Sequence, residues 1–337
     1  MKKAAFFEKL GQKKVRCNLC PHHCLIGDGK SGICLVRKNI GGDLFSENYE
    51  KLSAISTDPI EKKPLYHFYP GKKILSIGSV GCNLKCKFCQ NYEISQVTVD
   101  EFAFLKSYTS EEIVQMALEK AENIGLAYTY NEPIIWYEFV LETARLAHQH
   151  GLKNVFVSNG FINPDPLNIL IGFMDAFSID LKGFTEDFYK NLTSSGLAPV
   201  LKSIKQIKKA DKHIELTNLV IPGLNDDEEK FIEMIDWIAE EIGEDTVLHI
   251  SRYFPMFKIK NLPTPESKLE SLYEIARRKL TYVYLGNMKT LEGQNTLCPN
   301  CNAQLISRSG YITKIEQIDK SGNCAHCGQQ ILKYYSS

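Results

Sequence analysis

From residue 73 to residue 285, short apolar runs alternate with longer stretches whose apolar positions recur three and four apart. The runs Lys73–Gly78 (KILSIG), Leu126–Tyr130, Lys153–Val157, Asp175–Asp180, His213–Val220, Val247–Ile250 and Thr281–Leu285 predict strands. Stretches near 165–172, 197–210, 227–241 and 266–279 predict amphipathic helices. Thr109-Ser110-Glu111-Glu112 predicts a capping box, with Ile113, Ala117, Ala121 and Ile124 on one helix face behind it. A further helix runs to about His150 and ends at Gly151. Strands alternating with helices imply parallel βα units with right-handed crossovers. Six or seven such units over about 215 residues fit a closed or partly open βα barrel; a doubly wound open sheet satisfies the same pattern.

In either α/β architecture, the polar residues just past each strand are where chemistry is expected. Those positions read Tyr128-Thr129-Tyr130-Asn131-Glu132-Pro133, Ser158-Asn159-Gly160-Phe161, Asp180-Leu181-Lys182, Ile221-Pro222-Gly223-Leu224-Asn225-Asp226 and Ser251-Arg252. Residues 1–50 and about 290–337 fall outside the rhythm. Three segments follow: 1–50, 51–289 and 290–337.

Composition changes the picture little, except for sulfur. The 337 residues are 44% hydrophobic, and 40 basic side chains balance 40 acidic ones, so no global charge points to nucleic acid or an anionic membrane. No apolar run approaches the roughly 18–20 residues of a membrane span, and the opening MKKAAFFEKLGQKK lacks the apolar stretch of a signal peptide. The 11 cysteines fall into three groups: Cys17, Cys20, Cys24 and Cys34; Cys82, Cys86 and Cys89; Cys298, Cys301, Cys324 and Cys327. A disulfide framework would not leave the chain between Cys89 and Cys298 bare. Clustered thiols without an export signal read as metal ligands in a reducing cytoplasm.

The middle group, in Gly81-Cys82-Asn83-Leu84-Lys85-Cys86-Lys87-Phe88-Cys89, carries three thiols where a [4Fe–4S] cubane takes four. Three ligands leave one iron open to a small molecule. A zinc site with a remote fourth ligand such as His67 is the alternative on spacing alone. Cys-x3-Cys-x2-Cys with an aromatic residue before the last cysteine, in the first βα loop of a barrel-like pattern, resembles the radical S-adenosylmethionine (SAM) superfamily. The resemblance implies a partial (βα)6-type barrel and a cluster held by Cys82, Cys86 and Cys89, with SAM on the fourth iron. One electron then cleaves SAM to methionine and a 5′-deoxyadenosyl radical, which abstracts hydrogen from substrate. An exposed iron implies oxygen sensitivity, and a ferredoxin or flavodoxin is the implied electron donor.

Residues 73–255 most resemble the activating enzymes of pyruvate formate-lyase and its relatives. On that likeness Asn131 and Glu132 fall where the family grips the SAM amino group, Ser158 and Asn159 match a strand-end Thr-Asn-Gly-Phe, and Asp180 and Lys182 match an Asp-Leu-Lys near the SAM carboxylate. Phe88 is a candidate to stack near cluster or adenine. The chain departs from activases at Tyr130-Asn131, which replace paired glycines, at Val157 in place of an aspartate, and at Thr217 in place of an arginine. These departures set hydrogen abstraction from an unidentified substrate ahead of glycyl-radical installation on a protein partner. The opening Cys17-Asn18-Leu19-Cys20-Pro21-His22-His23-Cys24, with Gly32-Ile33-Cys34-Leu35-Val36-Arg37, resembles the radical SAM member of the AmmeMemoRadiSam system. That likeness implies Memo-like and AMMECR-like partners.

Cys298-x2-Cys301 and Cys324-x2-Cys327 have zinc-ribbon spacing around a hairpin-like GYITKIEQI, and structural zinc is expected there. Without a basic stripe, the ribbon is expected to dock onto the barrel or a partner rather than nucleic acid. Cys17, Cys20, Cys24 and Cys34 fit a zinc knuckle or a loop around an iron–sulfur cluster. Two other function classes remain: a zinc-containing nucleic-acid-binding protein, and an electron carrier with several clusters and no chemistry of its own.

Overall fold

The computed structural model describes residues 1–288 and 292–335; the expected segment boundary at 289 and 290 lies outside them. An eight-stranded sheet organises the chain. Its strands are β1 (Ala54–Pro59), β2 (Lys73–Gly78), β3 (Asn123–Tyr128), β4 (Lys153–Ser158), β5 (Ala176–Asp180), β6 (His213–Val220), β7 (Val247–Arg252) and β8 (Val283–Gly286), and they lie side by side in that order. β2 to β8 run parallel, while β1 pairs antiparallel to β2, Ala54 opposite Gly78 and Pro59 opposite Lys73. Each step from β2 to β8 crosses over through one helix of eight or more residues, with shorter helical turns in some connections: α1 (Ser110–Glu119), α2 (Tyr137–Gln149), α3 (Pro164–Ile171), α4 (Leu197–Lys209), α5 (Glu228–Glu241) and α6 (Glu266–Ala276). That is a (βα)6 arrangement with a terminal strand. Among the described residues no strand joins β8 to β1, so the barrel is open along that seam.

Local chemistry explains the elements. The parallel strands are covered on both faces, as helices packed outside a barrel require, and Ile74 to Gly78 are all buried. β1 is half exposed and ends in Pro59, which an edge tolerates because no ladder donor is missed there. The capping box at α1 forms as expected: Glu112 N donates to Thr109 Oγ1 at 3.2 Å, and Thr109 N donates to Glu112 Oε2 at 2.8 Å. That helix is shorter than its apolar period suggests. It stops at Glu119 because Lys120 is extended, and Ile124 belongs to β3.

Residues 1–53 carry only short strands, yet Ala4, Val15, Leu19 and Val36 share one continuous core with Leu75, Phe156 and Leu248. The carboxyl-terminal segment has its own small core, with Leu305, Ile306, Ile331 and Leu332 around Cys298 and Cys324. Its three-stranded antiparallel sheet, β9 (Thr296–Leu297), β10 (Gln304–Ser309) and β11 (Ile312–Ile315), has the build of a zinc ribbon.

The amino end of the barrel is closed by residues 60–69. The buried Glu215 carboxylate on β6 accepts from Tyr66 N (2.9 Å) and His67 N (2.7 Å) and is bonded to His213 Nε2 (2.9 Å) and His249 Nε2 (2.7 Å). The ribbon seals this plug from outside. Arg308 donates to the Tyr66 carbonyl at 2.9 Å, and its guanidinium lies 4.1 Å from the centre of the Tyr66 ring. The ribbon thus docks on the barrel, at the end away from the three-cysteine loop.

Candidate active site at the carboxyl ends of the strands

The loop after β2 turns at once. Gly81 adopts φ +89°, and a Cβ there would stand 2.6 Å from the Cys34 carbonyl oxygen, so the close approach of two chain segments demands glycine. Cys82, Cys86 and Cys89 follow within this loop. Cys86 is buried and the other two are partly so. Leu84 N lies 3.3 Å from Cys82 Sγ, and Asn159 Nδ2 lies 3.9 Å from it. Burial pushes all three thiols up, Cys86 to about 12, and the neighbouring sulfurs of the loop add to the shift at Cys82 and Cys86. Left to themselves these thiols stay protonated. A cationic metal core binding there must displace their protons.

The strand-end residues converge on this loop by hydrogen bonds. Asn131, after β3, accepts from Ser79 N at 3.0 Å and donates to the Gly81 carbonyl at 3.0 Å, tying the third strand's end to the cysteine loop. Glu132 is buried and accepts from Ser158 Oγ (2.8 Å), Asn159 N (2.8 Å) and Ile134 N (3.1 Å). Burial raises its carboxyl to about 7 against these three donors. Asn159 donates to Asn83 Oδ1 at 2.9 Å, so Ser158 and Asn159 link Glu132 to the cysteine loop. Lys182 donates to Asp180 Oδ2 at 2.8 Å; burial opposes its charge, but Asp180 holds it protonated. Phe88 is buried against Phe188, ring centroids 5.9 Å apart.

Two buried oxygens at this end have no partner: Thr217 Oγ1 and Asn218 Oδ1, both on β6. Thr217 stands directly opposite Asp180 in the sheet register. An orphaned polar atom beside a charged pair suits a polar ligand in the bowl. Three thiols in one loop, one buried and two partly so, suit an iron–sulfur cluster short of one protein ligand. The residues present therefore fit both groups.

His67 does not complete the cysteine set. Its Nε2 is bonded to Tyr284 OH at 2.6 Å and its backbone to Glu215, within the plug at the opposite end of the barrel. Arg252, at the last of the polar strand ends, is engaged with Glu266 Oε1 (2.6 Å) and the Thr264 carbonyl (2.8 Å). Sequence reasoning missed Asn83, whose Nδ2 donates to the Phe161 carbonyl at 2.8 Å, and Tyr189, whose hydroxyl accepts from Lys182 N at 3.1 Å. Asn83 carried a signal, a polar amide inside the cysteine spacing. Tyr189 carried none.

The other cysteine groups differ from each other. Cys298, Cys301, Cys324 and Cys327 bring their sulfurs within 4.8 Å of one another. Two pairs stand at 3.5 and 3.7 Å, close to the ~3.8 Å edge that ~2.3 Å metal–sulfur bonds give a tetrahedron. Among the described residues this is the one group so drawn together. Also among them, no helix is long and apolar enough to cross a membrane.

Comparison with known proteins agrees with this geometry. An uncharacterized protein of Methanocaldococcus jannaschii is 42% identical over 334 residues, spanning 98% of this chain and 99% of that one. The pyruvate formate-lyase 1-activating enzyme of Escherichia coli is 23% identical over 168 residues, 49% of this chain and 65% of that one. A radical SAM methyltransferase from Sphaerobacter thermophilus shares the fold at a TM-score of 0.51 and 13% identity, covering 65% of this chain and 67% of that one. The family model of the radical SAM superfamily matches residues 76–235, a span that runs from β2 and its cysteine loop into α5. The chain is thus an enzyme that carries a radical SAM domain over residues 76–235.

Proposed function

We propose that the protein cleaves SAM reductively at the Cys82 loop and uses the product radical to take a hydrogen atom from a substrate. The observation that carries this reading is the three-thiol loop, its Cys86 buried, met by Glu132, Ser158, Asn159 and Lys182 from three successive strand ends. When bound, the [4Fe–4S] cluster supplies the electron that splits the sulfonium. The remaining work belongs to the chain. Cys82, Cys86 and Cys89 hold the cluster and leave one corner to SAM. Glu132, whose raised carboxyl is ionised by a neighbouring ammonium, takes the SAM amino group, with Ser158 fixing its position and Asn131 tying the adjoining backbone to the cysteine loop. Lys182 remains charged and pairs with the SAM carboxylate, while Asp180 holds the lysine. Phe88 packs behind the cluster.

The seam between β1 and β8 admits substrate. A cavity of about 520 Å³ lies between β8 and the segment that follows β1, lined by Glu61, Tyr66, Ser251, Arg252, Leu285 and Gly286. A second reading, radical installation on a glycine of a protein partner, draws on the likeness to the E. coli activase; Thr217, in place of the activase arginine, counts against it. A low-potential ferredoxin or flavodoxin in the cytoplasm is the electron source, and the Cys298 group holds zinc. Memo-like and AMMECR-like partners rest on the amino-terminal motif.

The test is anaerobic reconstitution with iron and sulfide, followed by SAM and a strong reductant. 5′-Deoxyadenosine and methionine should form in equal amounts, and Cys86→Ala should abolish both. Turnover that survives in that variant refutes the reading.

A further inference from the structure

The amino-terminal cysteines are drawn together differently from those of the ribbon. Strand Val15–Cys17 pairs with Leu25–Ile26, and Cys17 N donates to the Cys24 carbonyl at 3.0 Å. Cys20 and Cys24 therefore sit in the hairpin's loop. Cys34 arrives from a second turn, closed by Leu35 N to Gly32 O at 3.0 Å, where a Cβ at Gly32 would stand 3.5 Å from Cys24 Sγ. Cys17, Cys20 and Cys34 are buried. The four thiols thus come from two adjoining turns. Yet no three of them share the 4.8 Å spacing seen among the ribbon's sulfurs. A single tetrahedral ion requires that spacing; a cubane holds its thiolates on separate irons, farther apart.

The group also leans on the catalytic loop. The Cys34 carbonyl abuts Gly81, the residue before Cys82. His22 Nε2 lies 2.8 Å from the Asn83 carbonyl, and Asn163, beyond β4, bonds back to Leu19 O and Asn18 O. Arg37, buried and paired to Glu138 at 3.0 Å, stands by Cys17 and Cys34, and its Nε–H has no partner. A structural knuckle has no use for a buried guanidinium with an unpaired donor beside its thiols. An anionic cluster does, since such donors and charges set its potential.

We propose that Cys17, Cys20, Cys24 and Cys34 bind a second [4Fe–4S] cluster, fully ligated by the protein, that relays single electrons to the cluster of the Cys82 loop. An external low-potential one-electron carrier is oxidised by one electron and the amino-terminal cluster is reduced. That cluster is reoxidised as the electron passes to the Cys82 site, where cleavage of the sulfonium consumes it. The assignment of the cluster stands by itself, whereas the relay rests on the function proposed above.

The experiment uses the full chain, reconstituted anaerobically, in three forms: wild type, Cys82→Ala/Cys86→Ala/Cys89→Ala, and Cys20→Ala/Cys34→Ala. The triple variant should keep a reduced-cluster electron paramagnetic resonance signal that SAM leaves unchanged. The double variant should keep only a SAM-sensitive signal and about half the iron and sulfide of wild type. Wild type should show the broadening of two magnetically coupled clusters. With reduced flavodoxin the double variant should lose SAM cleavage at least tenfold, and with dithionite it should keep it. Wild-type protein with two zinc ions per chain, or a triple variant without iron, overturns the cluster, and wild type decides this even where a variant does not fold. Equal loss with both reductants, or no loss with flavodoxin, overturns the relay. Failure of wild type to cleave SAM while the SAM-insensitive signal persists refutes the function and leaves the second cluster standing.

Discussion

At the scale of single residues, the site depends on side chains that position others. Gly81 is the clearest case, because its φ of +89° and its contact with the Cys34 carbonyl leave no room for a methyl group. Gly81→Ala should cost about 1–3 kcal/mol and move the cysteine loop, lowering both the melting temperature and the iron bound on reconstitution; unchanged iron content would show that the loop tolerates the shift. Asn131 acts similarly, accepting from Ser79 N and donating to Gly81 O. Asn131→Asp keeps the shape but loses the donor and sets a second carboxylate beside Glu132. SAM affinity, read by isothermal titration on the reconstituted protein, should fall about tenfold, the equivalent of one hydrogen bond to a charged group. That the three thiols, Glu132 and Lys182 would come to one end of the sheet was legible, because their residue types fall at strand ends in a recognisable order. The partners of Asn83 and Tyr189 were not, because those bonds join segments far apart in sequence.

At the scale of elements, periodicity was a good guide wherever burial is two-sided or strictly amphipathic. β6 has the bounds His213–Val220 that its apolar run predicts, and α5 begins within a residue of its predicted start. β1 escaped notice because AISTDP is half exposed and polar, the signature of an edge and not of a core strand. The plug of residues 60–69 escaped as well, since its order comes from one buried carboxylate on a distant strand. That plug has a measurable pH dependence. Burial lowers His67 to about 3 from its usual 6.5, so the folded protein holds it neutral and the unfolded chain protonates it first. Its contribution is intact above pH 6.5 and is lost as pH falls toward 3. Between pH 6.5 and 5 the loss should be roughly 1.5 kcal/mol. His67→Gln should flatten that part of the stability curve in denaturant titrations, and an unaltered slope would assign the acid sensitivity to other groups.

At the scale of the whole molecule, the three cysteine groups divide along the barrel axis. Two lie together at the carboxyl ends of the strands, and the third, in the ribbon, covers the amino-terminal plug through Arg308 and through Thr313, which donates to Glu61 at 2.7 Å. A metal at the ribbon is then a matter of stability and of the seam's shape, since Gly310 and Tyr311 also line the seam cavity. Cys298→Ser should remove the ribbon's metal, unfold a module whose core is only a handful of side chains, and open residues 295–335 to protease. The cysteine loop lies at the other end, so SAM cleavage in the absence of substrate should stay within about twofold of wild type at low temperature, with the cluster signal unchanged. A tenfold loss with the barrel still folded would mean that the ribbon holds the strands in register. In that case the plug is part of the catalytic scaffold, and the two ends of the barrel act as one unit.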